Sequence, residues 1–178
     1  MILRTLESPR MTLVAANTEL VEADLEGHAA LAKLLSAKVP DNWPPELYER
    51  RAMQFSLEQL RNDTGQSGWS FWYLLTTTAE EPTLLGLCGF KGRPDISGSV
   101  EIGYSVLRQF QDQGFATEAV ARLLVWAFSH QNVREVTAET LPYLRRSIRV
   151  MEKNGLSFTG DGSEHGVIRY AIRKQDRR

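Results

Sequence analysis

Between residues 100 and 107 apolar and polar positions alternate. Val100, Ile102, Tyr104 and Val106 share one face of a predicted strand, and Glu101, Gly103 and Ser105 share the other. The period then changes. Ala116, Val120, Leu123, Leu124, Ala127 and Phe128 recur at three-and-four spacing, the apolar stripe of a helix. The two elements are joined by the polar stretch Gln111-Asp112-Gln113-Gly114-Phe115-Ala116. Before this unit, residues 11–15 read as a first strand, and residues 20–35 as a helix capped by Asn17 or Thr18, with Leu31, Leu34 and Leu35 on one side. Prolines at 40, 44 and 45 break regular structure, and residues 46–61 read as a second helix with Pro45 in its first turn. Residues 69–77 and 84–91 are strands around the turn Glu80-Glu81-Pro82. With the strand at 100–107 they make an antiparallel meander. After it come a strand at 133–140 and a helix at 145–154 whose apolar face carries Leu144, Ile148 and Met151. The stop at Asn154-Gly155 precedes strands at 156–159 and 166–172, and the charged tail 173–178 is expected to fray.

The loop at 111–116 is the chemically suggestive stretch. The first amides of a helix have no partner inside it, and the helix dipole is positive there. A glycine lets an anion approach such amides without meeting a side chain. The same loop also reads as an ordinary strand-to-helix turn, and taken alone it does not decide between the two.

Composition narrows the classes. A chain of 178 residues, 42% apolar and 24% charged, is expected to form a single domain over 1–178 with a full core. A net charge of −1 gives no pull toward nucleic acid or an anionic membrane, and no apolar run is long enough to span one. No signal-peptide pattern precedes residue 11, and one cysteine cannot form an internal disulfide, so a cytoplasmic protein is expected. Cys88 lies mid-strand with no histidine placed to activate it, which reads as a buried structural thiol. His28, His130 and His165 have no ligand spacing, so no metal is expected.

Gln111-x-x-Gly114-x-Ala116 resembles the pyrophosphate-binding signature of the GNAT superfamily of acetyl-CoA-dependent N-acetyltransferases. GFATEA at 114–119 and EIGY at 101–104 are similar to the branch that acetylates ribosomal-protein N-termini, as is SIRVMEKNGLSFTG at 147–160. The resemblance implies an α/β (α+β) fold: a mixed, mostly antiparallel sheet, split at a central bulge and flanked by helices. It implies acetyl-CoA as co-substrate and transfer to a primary amine, either a protein N-terminus or a small molecule, by direct attack in a ternary complex. A catalytically inactive acyl-CoA-binding module is the alternative. Oligomeric state stays open, a homodimer included.

The resemblance also assigns residues. The pantetheine arm would pair with main-chain groups of Tyr104, Ser105 and Val106. The diphosphate would lie on amides of Gln111, Asp112, Gln113, Gly114, Phe115, Ala116 and Thr117. Asp112 stands where many relatives have glycine and brings a negative charge toward two phosphates. Arg108, Arg145, Arg146 and Lys153 are candidates for the 3′-phosphate. Glu101 matches a general base acting through water, or else is an edge carboxylate satisfied by a neighbour. Val106 N–H is the expected oxyanion donor. Met151 stands where many GNAT proteins place an acidic Tyr, and Ser147 matches the acid of the ribosomal-protein branch or serves as a helix cap. Leu144 replaces an Asn that contacts the cofactor arm. Trp43 either borders the acceptor pocket or packs under the helix pair, and packing is the expectation.

Overall fold

The computed structural model describes residues 3–77 and 80–176. Its frame is an eight-stranded sheet. The strands are β1 (Thr5–Glu7), β2 (Met11–Ala15), β3 (Phe71–Thr76), β4 (Leu84–Phe90), β5 (Ser99–Val106), β6 (Glu135–Thr140), β7 (Ser157–Asp161) and β8 (Ile168–Arg173), in the spatial order β1-β2-β3-β4-β5-β6-β8-β7. Neighbours are antiparallel except β5 and β6, which run parallel in the middle. Helices α1 (Thr18–Glu26), α2 (His28–Leu35) and α3 (Arg50–Asn62) cover one face. Helices α4 (Phe115–Ser129) and α5 (Arg145–Lys153) cover the other.

The meander follows from composition. Residues of β3 and β4 are buried throughout, since helices pack on both faces of this part of the sheet. Alternation sorts their side chains. Trp72, Leu74, Leu85 and Cys88 join the core under α4 and α5, while Phe71, Tyr73, Leu75 and Leu87 join the core under α1 to α3. Burial pushes the Cys88 thiol far up from its ordinary value, so it is not available as a thiolate.

Four boundaries differ from the sequence reading. The helix expected over 20–35 is two helices, because Gly27 at φ 151° ends α1 and opens α2. The helix expected from 46 starts at Arg50. Tyr48 N–H bonds to Pro45 O and Leu47 sits at φ 68°, so residues 46–49 form a turn. A short strand, β1, precedes the expected first one and pairs Thr5 with Val14. The tail does not fray within the described residues: residues 174–176 form a helical turn, and Lys174 Nζ donates to His130 O at 3.1 Å.

The split in the sheet is at β5 and β6. They pair only at Ser99, Val100 and Glu101, opposite Glu135, Val136 and Thr137. Beyond Glu101 β5 keeps a continuous register with β4 as far as Val106 and parts from β6. The opening therefore comes from divergence of the parallel pair, with no register shift against β4.

Candidate active site

The β4–β5 register decides which main-chain groups line the opening. Lys91 N–H bonds to Glu101 O and Leu107 N–H to Leu85 O, so odd-numbered residues of β5 bond toward β4. Even-numbered residues point the other way. Tyr104 and Val106 thus present main-chain groups to the open side, while Ser105, expected among the cofactor contacts, turns its own toward Leu87 of β4. The Ser105 hydroxyl donates to Glu46 O at 2.7 Å on the α1–α3 face. The Val106 carbonyl accepts from Gln111 Nε2 at 2.9 Å, which ties the strand to the following loop.

That loop is shaped by two left-handed residues, Asp112 at φ 60° and Gly114 at φ 85°. Gly114 occupies the N-cap position of α4, and no side chain caps the helix. The first intrahelical bond of this end runs from Glu118 N–H to Gly114 O at 3.0 Å. The amides of Phe115, Ala116 and Thr117 stand ahead of it at the positive end of a helix of 15 residues. Such a helix start can bind an anion. Asp112 does not leave its charge unopposed there: Arg146 Nε lies 3.3 Å from its carboxylate, and Arg146 Nη1 donates to Gln111 Oε1 at 3.0 Å. Arg108, Arg145 and Lys153 are exposed side chains.

Tyr104 faces α5. Its hydroxyl donates to Ser147 O at 2.8 Å and lies 3.2 Å from Ser147 Oγ. Burial pushes the tyrosine above its ordinary pKa, although the Ser147 hydrogen bond opposes this, so the hydroxyl stays neutral. Ser147 is not the cap of α5. Leu144 holds that position, with no capping side-chain bond, and Ser147 lies in the first turn. Met151 is buried and carries no proton to give.

Glu101 is the last β5 residue paired with β6 and faces the side away from α4 and α5. Its carboxylate forms an ion pair with Lys91 at the end of β4. Gly103 follows on the same face, and a Cβ added there meets no atom within 4 Å. Helices α1 to α3 do not cover this part of the sheet. An open groove of about 580 Å³ lies here, lined among others by Asp95, Glu101, Glu135, Asp161, Arg169 and Arg173. Arg169 is paired with Glu139 at 2.7 Å and Arg173 with Glu135 at 3.2 Å.

Trp43 is buried, as expected for packing. Its Nε1–H donates to Asp24 at 2.8 Å, and Tyr73 OH donates to the same carboxylate at 3.0 Å. Burial pushes Asp24 up to about 6, against the lowering effect of these two bonds and of His28. Among the described residues no group of three or more His, Cys, Asp or Glu is arranged to hold a metal ion, and no helix is long and apolar enough to cross a membrane.

The Gly114 loop follows directly on the strand edge left open where β5 parts from β6. The chain belongs to the acetyltransferase (GNAT) domain family, whose model matches residues 17–157. It is accordingly an acetyl-CoA-dependent acetyltransferase. It is 27% identical over 161 residues to YjdG of Bacillus subtilis, an uncharacterized N-acetyltransferase, covering 90% of this chain and 94% of that protein. In fold it is similar to the ribosomal-protein-S5-alanine acetyltransferase of Vibrio fischeri, with a TM-score of 0.68 at 15% identity, covering 98% of this chain and 99% of that one. It is also similar to RimL, a ribosomal L7/L12 α-N-protein acetyltransferase solved with coenzyme A, with a TM-score of 0.67 at 17% identity, covering 97% of this chain and 99% of that one.

Three features escaped the sequence reading: Lys91 beside Glu101, the Tyr104 hydroxyl beside Ser147, and Arg10 beside the Gly114 loop. The first follows from pairing Lys91 with Glu101 across the hairpin, but the long turn at 92–98 leaves that register undetermined by sequence. The other two depend on contacts between elements far apart in the chain.

Proposed function

We propose that the chain acts as one acetyltransferase domain that moves the acetyl group of acetyl-CoA to the α-amine of a protein or peptide, by direct attack in a ternary complex. The observation that carries the acceptor class is the groove beside Glu101. It is open, about 580 Å³ in volume, and lined by four carboxylates against two guanidiniums. An open, acidic groove suits an extended chain with a positively charged terminus better than it suits a small apolar amine. Two fold neighbours are named as a ribosomal L7/L12 α-N-protein acetyltransferase and a ribosomal-protein-S5-alanine acetyltransferase, which agrees with a protein acceptor.

In this mechanism the amides of Asp112 to Thr117 hold the diphosphate, the Gln111 amide being bonded to Arg108 O, and Tyr104 and Val106 pair with the pantetheine arm. Glu101, oriented by its ion pair with Lys91, accepts a proton from the incoming ammonium through water. The Val106 N–H faces the developing oxyanion. Ser147 returns a proton to the departing thiolate. Nothing in this scheme needs an acyl-enzyme, and the buried Cys88 is unsuited to form one.

The test is release of the CoA thiol with a panel of peptides bearing free N-termini and a panel of small amines. Peptides should be turned over and Glu101→Gln should lower turnover about 10²-fold with CoA affinity unchanged. Preference for small amines would overturn the acceptor assignment. CoA binding without thiol release from any amine would favour an acyl-CoA-binding module.

A further inference from the structure

The turn between β1 and β2 reaches the far end of the molecule's central loop. Arg10 lies in this turn, more than a hundred residues before Gly114 in sequence. Its main-chain N–H donates to Glu118 Oε1 at 2.8 Å, its Nε to Glu118 Oε2 at 2.7 Å, and its Nη1 to Gln113 O at 3.0 Å. Its Cζ stands 4.5 Å from the centre of the Phe115 ring. A Cβ placed on Gly114 would lie 3.3 Å from Arg10 Nη2. Ser8 Oγ also donates to Glu118 Oε1, at 2.8 Å. One guanidinium therefore touches or borders every residue from Gln113 to Phe115 and the first turn of α4.

We infer that Arg10 is a positioning residue for the diphosphate cradle, locking the loop 113–115 to Glu118 so that its amides point outward before the donor arrives. The inference rests on the proposed role of this loop. The physical need is specific. Glu118 in the first turn of α4 complements the helix dipole but puts a negative charge near two phosphates. Arg10 offsets that charge while keeping the carboxylate in place. Its pair with Glu118 has carboxylate side-chain exposure of 15%, against 62% for Asp112 in its pair with Arg146, so the first pair is the better shielded from solvent. A planar cation that donates to both Glu118 and the Gln113 carbonyl and lies over Phe115 is a rigid peg, whereas the loop it secures contains two left-handed residues and has no side-chain cap. Ordering the loop in advance removes part of the entropy cost of binding.

The test uses the full chain, with CoA and 3′-dephospho-CoA as ligands measured by calorimetry, and amide hydrogen exchange on the free protein. Arg10→Gln should raise the Kd of both ligands about tenfold. Exchange at 111–117 should speed up while that of β3 and β4 is unchanged. Arg10→Lys, which keeps the charge but not the fork, should fall between the two proteins, and serves alone if Arg10→Gln does not fold. An unchanged Kd would overturn the inference. Faster exchange throughout β3 and β4 would also overturn it, making Arg10 a general stabiliser. Failure of the unaltered protein to bind CoA would instead remove the proposed role of the loop itself.

Discussion

The Tyr104 hydroxyl bridges β5 to the first turn of α5, donating to the Ser147 carbonyl at 2.8 Å with Ser147 Oγ only 3.2 Å away. At this distance either hydroxyl can donate to the other, so Tyr104 can turn its proton from the carbonyl onto Ser147 Oγ when the serine gives up its own. Met151, buried on the same helix, offers no proton. The two hydroxyls form a single proton-bearing unit.

Ser147→Ala should therefore lower turnover about 10²-fold, and Tyr104→Phe about tenfold, because each removes part of one proton-delivery path. Affinity for CoA should change less than twofold in both. The double variant should be little worse than Ser147→Ala alone. Steady-state kinetics of the four proteins checks this. Multiplicative losses would mean that the two hydroxyls act separately.

Gly103 has open space where a side chain would be, on the groove face between Glu101 and Ser105. Valine suits a strand and meets no atom at its Cβ, so Gly103→Val should fold as well as the parent. It should obstruct the acceptor and not the donor. Peptide turnover should drop at least tenfold while the CoA Kd is unchanged. Unimpaired peptide turnover would show that acceptors approach by another route.

Asp24 gives a pH signature in stability. Burial raises its pKa from the ordinary 3.8 to about 6, so the folded chain binds this proton more tightly than the unfolded chain does. The contribution is full below pH 3.8, declines between about pH 4 and pH 6, and is flat above, amounting to roughly 3 kcal/mol. Glu118 works in the opposite direction. Burial would raise it, but Ser8 and Arg10 hold it below its ordinary value. The informative quantity is thus the difference between the parent and Asp24→Asn in urea unfolding across pH 4–7. That difference should change by about this amount, and a constant difference would place the Asp24 proton elsewhere.

How far the sequence carried these conclusions depends on the range of the interaction. The strand at β5, the glycine loop and the start of α4 were readable because alternation, helical period and a glycine are local signals. The split of the sheet was readable only through resemblance, and its cause differs: β5 leaves β6 after Glu101 without slipping against β4. That Ser105 turns its main-chain groups toward β4 was not readable, because main-chain direction follows from register, which periodicity does not set. Helical spacing resumes at Leu31, Leu34 and Leu35 beyond Glu26-Gly27-His28, so periodicity did not separate the two helices, and the break is set by the Gly27 backbone at φ 151°. Arg146 was one of four equivalent cations in the sequence, and only the fold brings it to Asp112 and Gln111.

The central claim is that main-chain amides around Gly114 hold the diphosphate of the donor. Gly114 sits at φ 85°, a conformation costly for a branched residue, and Gly114→Val would both strain the loop and crowd Arg10 Nη2, which lies 3.3 Å from the added Cβ. The direct measurement is the rise in melting temperature caused by acetyl-CoA, taken relative to each protein's own unliganded value. At a hundredfold excess over Kd the parent should gain about 2.7 kcal/mol of stability and a matching shift. Gly114→Val should show no shift, whatever its starting stability. Equal shifts in the two proteins would contradict the claim.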